Sequence, residues 1–407
     1  MRKFNYLVVA ATAIMCVFAG GALGATTDEL ERRLDIVTQE LQALKNESAV
    51  STETDYSSTF GLGPAASKVY KSSQGLSIGG YGEGHFTNLV SDKNGEQDTA
   101  DMLRAILYVG YKFNEKIVLN TEIEIEHADE IYAEMVSLDF LLSEKINLRA
   151  GLLLTPVGIT NELHEPTLYH GNDRPYVERQ VIPSTWREMG FGVFGQLAQG
   201  LDYKLYLMNG LDGADFTRKG LRGGRQKGSK AKADDWALVG SVAYEPVLGL
   251  NLGGSFYLGD SGQKDVFDAS GDEVDVFTEI YEIHAQYKVA GVELKALGSK
   301  VKIDDSEFIT DEDDVSVGVP EEINAYYAEI AYDVMPLLIG GTTQYLAPFY
   351  RFERVDYSGN DEDVDVTTVG ISYKPIPNVV LKADYRNFDK KVGTEADEIN
   401  LGFGYIF

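Results

Sequence analysis

Cysteine is almost absent from this 407-residue sequence. The one cysteine, Cys16, lies in an apolar segment near the N-terminus. No pair exists to form a disulfide and no set of thiolates to bind a metal. Positive charge is also in short supply, because 36 basic residues stand against 64 acidic ones and the formal net charge is −28. Nucleic acid, which binds basic surfaces, is therefore not expected as a partner.

Long apolar runs are missing beyond the first 24 residues. Arg2 and Lys3 precede an apolar run over residues 6–21, and small residues follow over 22–24. This order predicts a secretory signal peptide over residues 1–24, with a lone membrane anchor as the alternative. No later run approaches the roughly 18 apolar residues that a membrane-spanning helix needs. The remaining chain must leave the membrane or cross it as strands.

The N-terminal part after residue 24 has a different pattern from the rest. Five apolar residues follow a 4-3-4-3 spacing, which is the seam of a coiled coil: Leu30, Leu34, Val37, Leu41 and Leu44. We predict a coiled-coil segment over residues 25–48, with an amphipathic helix packed on its own domain as the alternative. Residues 49–74 are rich in Ser, Thr, Gly and Ala and are predicted to be a linker.

From Gly75 to Phe407 the sequence alternates between apolar and polar residues. We count sixteen strand-like segments, separated by connections that are alternately short and long. Short turns at one end and long loops at the other are typical of an outer-membrane barrel. The fold class predicted for residues 75–407 is therefore all-β, a transmembrane antiparallel up-and-down β-barrel of about 16 strands. The last strand is expected to pair with the first.

The alternation also predicts which side chains face the lumen. In segment 116–127, Ile123 and Ile125 lie on one face, and Glu122, Glu124 and Glu126 lie on the other. A face with three consecutive charges is too costly to place against lipid and must be wet. The residues predicted to line the pore are Arg104, Lys112, Glu122, Glu124, Arg149, Lys382, Asp384 and Arg386. Paired charges that only stiffen the wall are the alternative for each of them.

Segment 156–187 is the longest connection and is predicted to fold into the lumen as a constriction loop. The residues expected to act there are Asn161, Glu162, His164, Glu165, Arg174, Arg179 and Arg187. His164 and Glu165 resemble the start of a zinc-protease motif, but His170 has the wrong spacing and Pro166 breaks a helix. No metal site and no cofactor are predicted.

Segment 210–234 carries seven basic residues against three aspartates. One interpretation is that this segment folds inward and attracts anions into the channel. Binding to lipopolysaccharide phosphate and pairing with an acidic loop of a neighbouring molecule are the alternatives.

Three stretches of the sequence resemble a known family. They are GLSIGGYGEGHF (75–86), RAILYVGYKFNEKIVLNTEIEIEHA (104–128) and the segment from LRAGLLLTPVGITNELHEP to RPYVERQVIPSTWREMGFGVFG (148–195). They look like the phosphate-selective porins O and P. The resemblance implies a trimeric sixteen-stranded barrel that forms an anion-preferring channel, with arginines and lysines leading to a phosphate site.

The predicted function is a passive channel for small hydrophilic solutes or ions in the bacterial outer membrane, without enzymatic activity. The expected partners are two further copies of the chain, outer-membrane lipid and lipopolysaccharide, small ions or anions, and the barrel-assembly machinery that reads a terminal Phe407. The N-terminal segment is expected in the periplasm. A structural or conduit barrel for periplasmic or redox partners is the alternative, and an outer-membrane enzyme is a third, although no histidine has a catalytic sequence context.

Overall fold

The computed structural model describes residues 57–91, 95–309, 318–359 and 361–407. The predicted signal peptide and coiled-coil segment lie outside the described residues. Sixteen antiparallel strands form one closed barrel in which each strand pairs with its neighbours in sequence. The predicted fold class and strand number are thereby confirmed. No helix in the described ranges is long and apolar enough to cross a membrane.

The strands are separated by turns, loops and a few short helices. They are β1 (Gly75–Leu89), β2 (Thr99–Asn114), β3 (Ile117–Glu126), β4 (Glu130–Phe140), β5 (Asn147–Leu154), β6 (Arg187–Ala198), β7 (Leu201–Asn209), β8 (Trp236–Val247), β9 (Leu250–Asp260), β10 (Phe277–Val289), β11 (Val292–Ile303), β12 (Glu322–Tyr332), β13 (Tyr345–Ser358), β14 (Val364–Ile376), β15 (Val379–Lys390) and β16 (Glu398–Ile406). Two single-turn α-helices are α1 (Lys68–Lys71) and α2 (Met335–Leu338), and a π-helix covers Val177–Val181.

The barrel closes through its first and last strands. β1 pairs with β16 in antiparallel register, with Tyr81 opposite Ile406 and Phe86 opposite Leu401. Closure leaves neither strand with a row of unpaired backbone groups, which is how barrels avoid aggregation through free edges. The predicted pairing of the apolar C-terminal strand is correct.

The two faces of the wall differ as the alternation predicts. On β2, Leu107 and Tyr111 point outward and are each 41% exposed, whereas Arg104 and Tyr108 point inward and are buried. Outward-facing aliphatic and aromatic residues recur around the barrel, including Ile123, Phe191, Leu238, Ile283, Ile330, Leu381 and Phe403. Exposed apolar surface of this extent is not expected on a wall that faces water.

The two ends of the barrel also differ. Connections at the short-turn end have few residues, such as 199–200 between β6 and β7 and 290–291 between β10 and β11. Connections at the long-loop end include 155–186 between β5 and β6 and 210–235 between β7 and β8. Both chain ends of the barrel lie at the short-turn end.

Residues 57–72, which we name the inner segment, lie inside the barrel at the short-turn end. Leu62, Ala65 and Val69 are buried, with at most 2% of each side chain exposed. A Cβ added to Gly110 on β2 would come within 2.5 Å of Val69 Cβ, so glycine at this position lets α1 approach the wall. This part of the predicted linker is therefore packed rather than solvated. Its small residues suit the narrow space inside the wall.

Candidate functional site: the filled lumen

The connection between β5 and β6 folds into the lumen. Residues 155–186, which we name the lumen loop, are all buried or half-buried. The interior, which the alternation predicts to be wet, is therefore occupied across its middle by backbone and side chains from this loop and from the inner segment. Sixteen strands enclose more space than wall side chains can fill, and inserted chain takes up that space.

Asn161 closes the neck of the lumen loop. Its Nδ2 donates to the carbonyls of Thr155 at 2.7 Å and Trp186 at 2.8 Å, and its Oδ1 accepts from the Trp186 N–H at 2.8 Å. One buried amide thus joins the two ends of a connection longer than thirty residues. If the Asn161 side chain were removed, the buried backbone groups of Thr155 and Trp186 would lose these hydrogen bonds, and water would not replace them.

We expect Asn161→Ala to lower the free energy of unfolding by about 2–4 kcal/mol, since three buried hydrogen bonds are lost. Urea unfolding of the folded protein in detergent measures the change. Asn251→Ala is the control, because Asn251 is a half-buried lumen residue, and its replacement should change the stability by no more than about 0.5 kcal/mol. Equal effects of the two substitutions would contradict the role of Asn161.

A buried glutamate holds the first turn of the lumen loop. Gly158 has a φ of 77°, which turns the chain back into the lumen. Glu178 Oε1 then accepts from the N–H groups of Ile159 at 2.6 Å and Thr160 at 2.7 Å. Its other oxygen accepts from the Tyr327 hydroxyl on β12 at 2.7 Å. Burial raises the pKa of the Glu178 carboxyl, and these hydrogen bonds oppose that rise.

The far part of the lumen loop is attached to the wall formed by β12–β15. Asn172 donates from its backbone N–H at 2.7 Å and from its Nδ2 at 2.6 Å to Asp384 on β15. Asp173 pairs with Arg386 at 2.5 Å, and His170 lies 2.8 Å from a Glu329 oxygen. These contacts hold the loop across the lumen.

The inner segment contacts both the lumen loop and the wall. The backbone N–H groups of Ala65 and Ala66 donate to Glu165 Oε1 at 2.8 and 3.3 Å. The Tyr70 hydroxyl donates to Asp139 at 2.7 Å, and Arg149 pairs with the same carboxylate at 2.8 Å. The inner segment and the lumen loop thus form one packed unit at the short-turn side of the lumen.

Arginines line a cavity of about 210 Å³ at the long-loop end. Arg104, Arg174, Arg179 and Arg222 contribute to its wall, together with the acidic residues Glu83, Glu126 and Asp173. Glu83 pairs with Arg104 at 3.0 Å, and Asp173 pairs with Arg179 at 3.3 Å. Two of the four arginines have no ion pair with these carboxylates in the described structure.

Those two arginines are Arg174 and Arg222. Arg174 is 5% exposed, and its Nη2 has no hydrogen-bond partner within the described ranges. Arg222 Nη1 donates to the Arg179 carbonyl at 2.6 Å, which brings segment 210–234 onto the lumen loop. Burial lowers the pKa of Arg222, and the nearby charges of Arg225, Arg179 and Arg174 lower it further. Guanidinium groups remain charged in proteins, so this cavity carries positive charge that is only partly balanced.

A second cavity, of about 300 Å³, opens at the short-turn end. Its lining includes Phe60 and Gly61 of the inner segment, Glu162 of the lumen loop, and Lys204 and His284 of the wall. Lys204 pairs with Glu162 inside it. The packed middle of the lumen lies between this cavity and the arginine-lined one.

All eight residues predicted to line the pore point into the barrel and are at most 8% exposed: Arg104, Lys112, Glu122, Glu124, Arg149, Lys382, Asp384 and Arg386. Many of them contact the inserted segments. Lys112 Nζ donates to the Ser72 carbonyl at 2.9 Å, and Lys382 Nζ lies 3.8 Å from the centre of the Tyr169 ring. Their role in conduction remains a prediction.

The residues predicted for the constriction lie in or next to the lumen loop: Asn161, Glu162, His164, Glu165, Arg174 and Arg179 within it, and Arg187 as the first residue of β6. Arg187 therefore belongs to the wall rather than to the loop. Two features were not predicted from the sequence, namely the inner segment and the inward-facing Glu134. The spacing of three and four residues between Leu62, Ala65 and Val69 was a signal in the sequence for the inner segment.

Comparisons with known proteins place this geometry in a wider context. No protein-family model matches the sequence. An uncharacterized protein of Aquifex aeolicus (strain VF5) is 36% identical over 374 residues, which cover 85% of this chain and 83% of that protein.

Solved structures with a similar fold are outer-membrane proteins. Salmonella typhi OmpF in complex with daunomycin has 14% identity and a TM-score of 0.55, covering 82% of this chain and 98% of that chain. An anion-selective porin from Comamonas acidovorans has 12% identity and a TM-score of 0.54, covering 82% and 99%. An in-vitro folded trimer form of Vibrio cholerae OmpT has 11% identity and a TM-score of 0.50, covering 83% and 100%. At these identities the likeness shows a shared barrel fold.

Proposed function

The chain belongs to the same family as the Aquifex aeolicus protein, and we propose that it is a bacterial outer-membrane channel for the passive diffusion of small hydrophilic solutes and ions. The apolar outer face of the barrel supports a location in lipid. The charged interior and the porin fold of the solved neighbours support a channel. No reaction is part of the proposal.

The arginine-lined cavity supports the finer proposal that anions are preferred. A solute entering from the long loops meets Arg174 and Arg222, whose charges no carboxylate of that cavity pairs with. At about 0.15 M salt, charges act over roughly 8 Å, so this local excess matters more than the net negative charge of the whole chain. Guanidinium groups bind phosphate through paired hydrogen bonds, so phosphate is the anion we propose to bind there.

Several partners complete the proposal. The barrel is proposed to form a homotrimer, by analogy with the trimer form of Vibrio cholerae OmpT. Outer-membrane lipid and lipopolysaccharide would surround it, and the barrel-assembly machinery would recognise its strand β16. The predicted coiled-coil segment over residues 25–48 would lie in the periplasm, where the trimeric barrel would bring its copies together.

A structural or tethering barrel is the second candidate function. The specific observation in its favour is the filled middle of the lumen, where loop and wall side chains such as Arg351, Glu353 and Val177 have no exposed surface. In that case the barrel would anchor the N-terminal segment to the outer membrane without conducting.

Planar-bilayer recording of the purified full-length protein separates the two functions. We expect discrete conductance steps in symmetrical potassium chloride, in groups of three if the trimer inserts as a unit. A folded protein, verified by circular dichroism, that inserts and never conducts would overturn the channel proposal and favour the structural one.

A further inference from the structure

One cluster of buried side chains joins the lumen loop to the wall, and none of its three residues lines the arginine-lined cavity. Glu122 on β3, Glu134 on β4 and His164 on the lumen loop each offer one ligand atom, and these atoms lie within 4.8 Å of one another. All three side chains are at most 1% exposed. An imidazole and two carboxylates form a donor set that suits first-row divalent metals such as Zn²⁺ and Mn²⁺.

The imidazole is oriented as a metal ligand. His164 Nδ1 lies 2.7 Å from the Asn161 carbonyl, which fixes Nδ1 as the protonated nitrogen. Nε2 then faces Glu122 at 3.2 Å and Glu134 at 3.9 Å. A histidine bound to a metal usually donates its other ring N–H to a carbonyl or carboxylate in this manner. Without a cation between them, the Nε2 lone pair of the neutral ring would face two negative groups.

Glu134 is a buried carboxylate that no hydrogen bond within the described residues stabilises. Neither of its carboxylate oxygens has a hydrogen-bond partner, although the side chain is fully buried. The nearest cation, Arg187 Nη1, lies 3.9 Å from Glu134 Oε1, beyond hydrogen-bond distance. A buried carboxylate that receives no hydrogen bond is unfavourable, even with cations about 4 Å away. An ion bound between Glu134 and His164 would remove that cost.

A β-bulge turns Glu134 into the lumen. Glu122 pairs with Met135 and Ile123 pairs with Ala133, so Glu134 is the extra residue of β4. As a result Glu134 and Met135, adjacent in sequence, are both buried. Bulges often re-aim a side chain beside a functional site, and here the bulge adds the second carboxylate to the cluster.

Glu122 is held by neighbours that leave one oxygen free. The hydroxyls of Tyr81 and Tyr108 donate to its Oε1 at 3.3 and 3.0 Å, whereas its Oε2 has no partner. Ligand atoms around a tetrahedral Zn²⁺ lie about 3.3–3.5 Å apart, given bond lengths of about 2.0–2.2 Å. The ligand atoms of the cluster would need to move together by roughly 1 Å to bind the ion. The two carboxylates carry the negative charge that balances a divalent ion.

We propose that Glu122, Glu134 and His164 bind one divalent transition-metal ion, with Zn²⁺ as the working probe, that fastens the lumen loop to strands β3 and β4. The proposal departs from the expectation from sequence that no metal is bound. It is independent of the solute that the channel conducts.

Metal titration of the folded full-length protein tests the site. After treatment with EDTA and dialysis, we expect one Zn²⁺ per chain, measured with a competing chelator, and a Zn²⁺-dependent rise in the unfolding temperature. Glu134→Gln and His164→Asn should each weaken binding at least tenfold, since loss of a supporting contact alone costs about 10–100-fold.

His284→Asn is the matched control, because His284 Nδ1 lies 2.6 Å from Glu282 on the wall away from the cluster. It should leave Zn²⁺ affinity unchanged.

Crystals soaked in Zn²⁺ provide a readout that needs no variant. An anomalous peak between the three side chains would support the proposal. Absence of a stoichiometric site in the wild-type protein would overturn it and leave a protonated His164 as the neutralising cation. Equal Zn²⁺ affinity in the wild type, Glu134→Gln and His164→Asn would also overturn it, since the ion would then bind elsewhere.

Discussion

Deletion of residues 57–72 is expected to raise the single-channel conductance several-fold. These residues fill the short-turn side of the lumen, and their contacts with Glu165 and Asp139 are with the lumen loop and the wall. Because conduction depends on the open cross-section, removing an inserted segment widens the path more than any single substitution. Planar-bilayer recording of the deletion variant measures the change, and circular dichroism verifies that the barrel is folded.

A point substitution tests the same idea without shortening the chain. Gly110→Val places side-chain atoms where Val69 now packs, since even a Cβ would come within 2.5 Å of it. We expect it to displace α1 and to raise conductance in the same direction. Gly298→Val is the matched control on β11, where a Cβ would meet nothing within 4 Å. Unchanged conductance in both the deletion and Gly110→Val would show that the inner segment does not limit flow.

Replacing both Arg174 and Arg222 with glutamine is expected to abolish the anion preference. These are the two arginines of the long-loop cavity that lack an ion pair with Glu83, Glu126 or Asp173. Their removal leaves two arginines against three carboxylates, so the cavity becomes net negative. We expect the reversal potential in a potassium chloride gradient to move toward the potassium equilibrium potential. Phosphate inhibition should weaken at least tenfold, because each charged hydrogen bond that is lost contributes about 1.5–3 kcal/mol.

The control for that variant is an arginine on the outside of the barrel. Arg354 on β13 is exposed and paired with Asp365 on the neighbouring strand. Arg354→Gln changes the net charge in the same direction without changing the lumen. A reversal potential that shifts as much in Arg354→Gln as in the double variant would show that the cavity does not determine selectivity.

Most of the fold was predictable because each strand buries one face and exposes the other. The pattern on β15, where Lys382, Asp384 and Arg386 alternate with Leu381 and Ala383, predicts the inward and outward faces that the structure has. Turn lengths then predict the ends of the barrel. Both signals are local in sequence, so one chain is enough to recognise them.

The lumen contents were less predictable because they depend on contacts between distant residues. The inner segment meets Glu165, which lies 100 residues away from Ala65, and Ser, Gly and Ala are as common in linkers as in tight packing. The sequence does contain a sign of the bulge at Glu134. Outward-facing apolar residues have odd numbers up to Ala133 and even numbers from Val136, as a bulge requires. The meeting of Glu134 with His164 could not be predicted, since the path of the lumen loop is set by its anchors on β12–β15.

The reversal potential of the wild-type protein, recorded in a potassium chloride gradient and repeated with phosphate added, tests the central claim most directly. The arginine-lined entrance to a narrowed lumen predicts a reversal potential displaced from zero toward the chloride equilibrium potential. It also predicts a chloride current that phosphate inhibits. Preferential passage of potassium together with a chloride current that phosphate leaves unchanged would contradict the account.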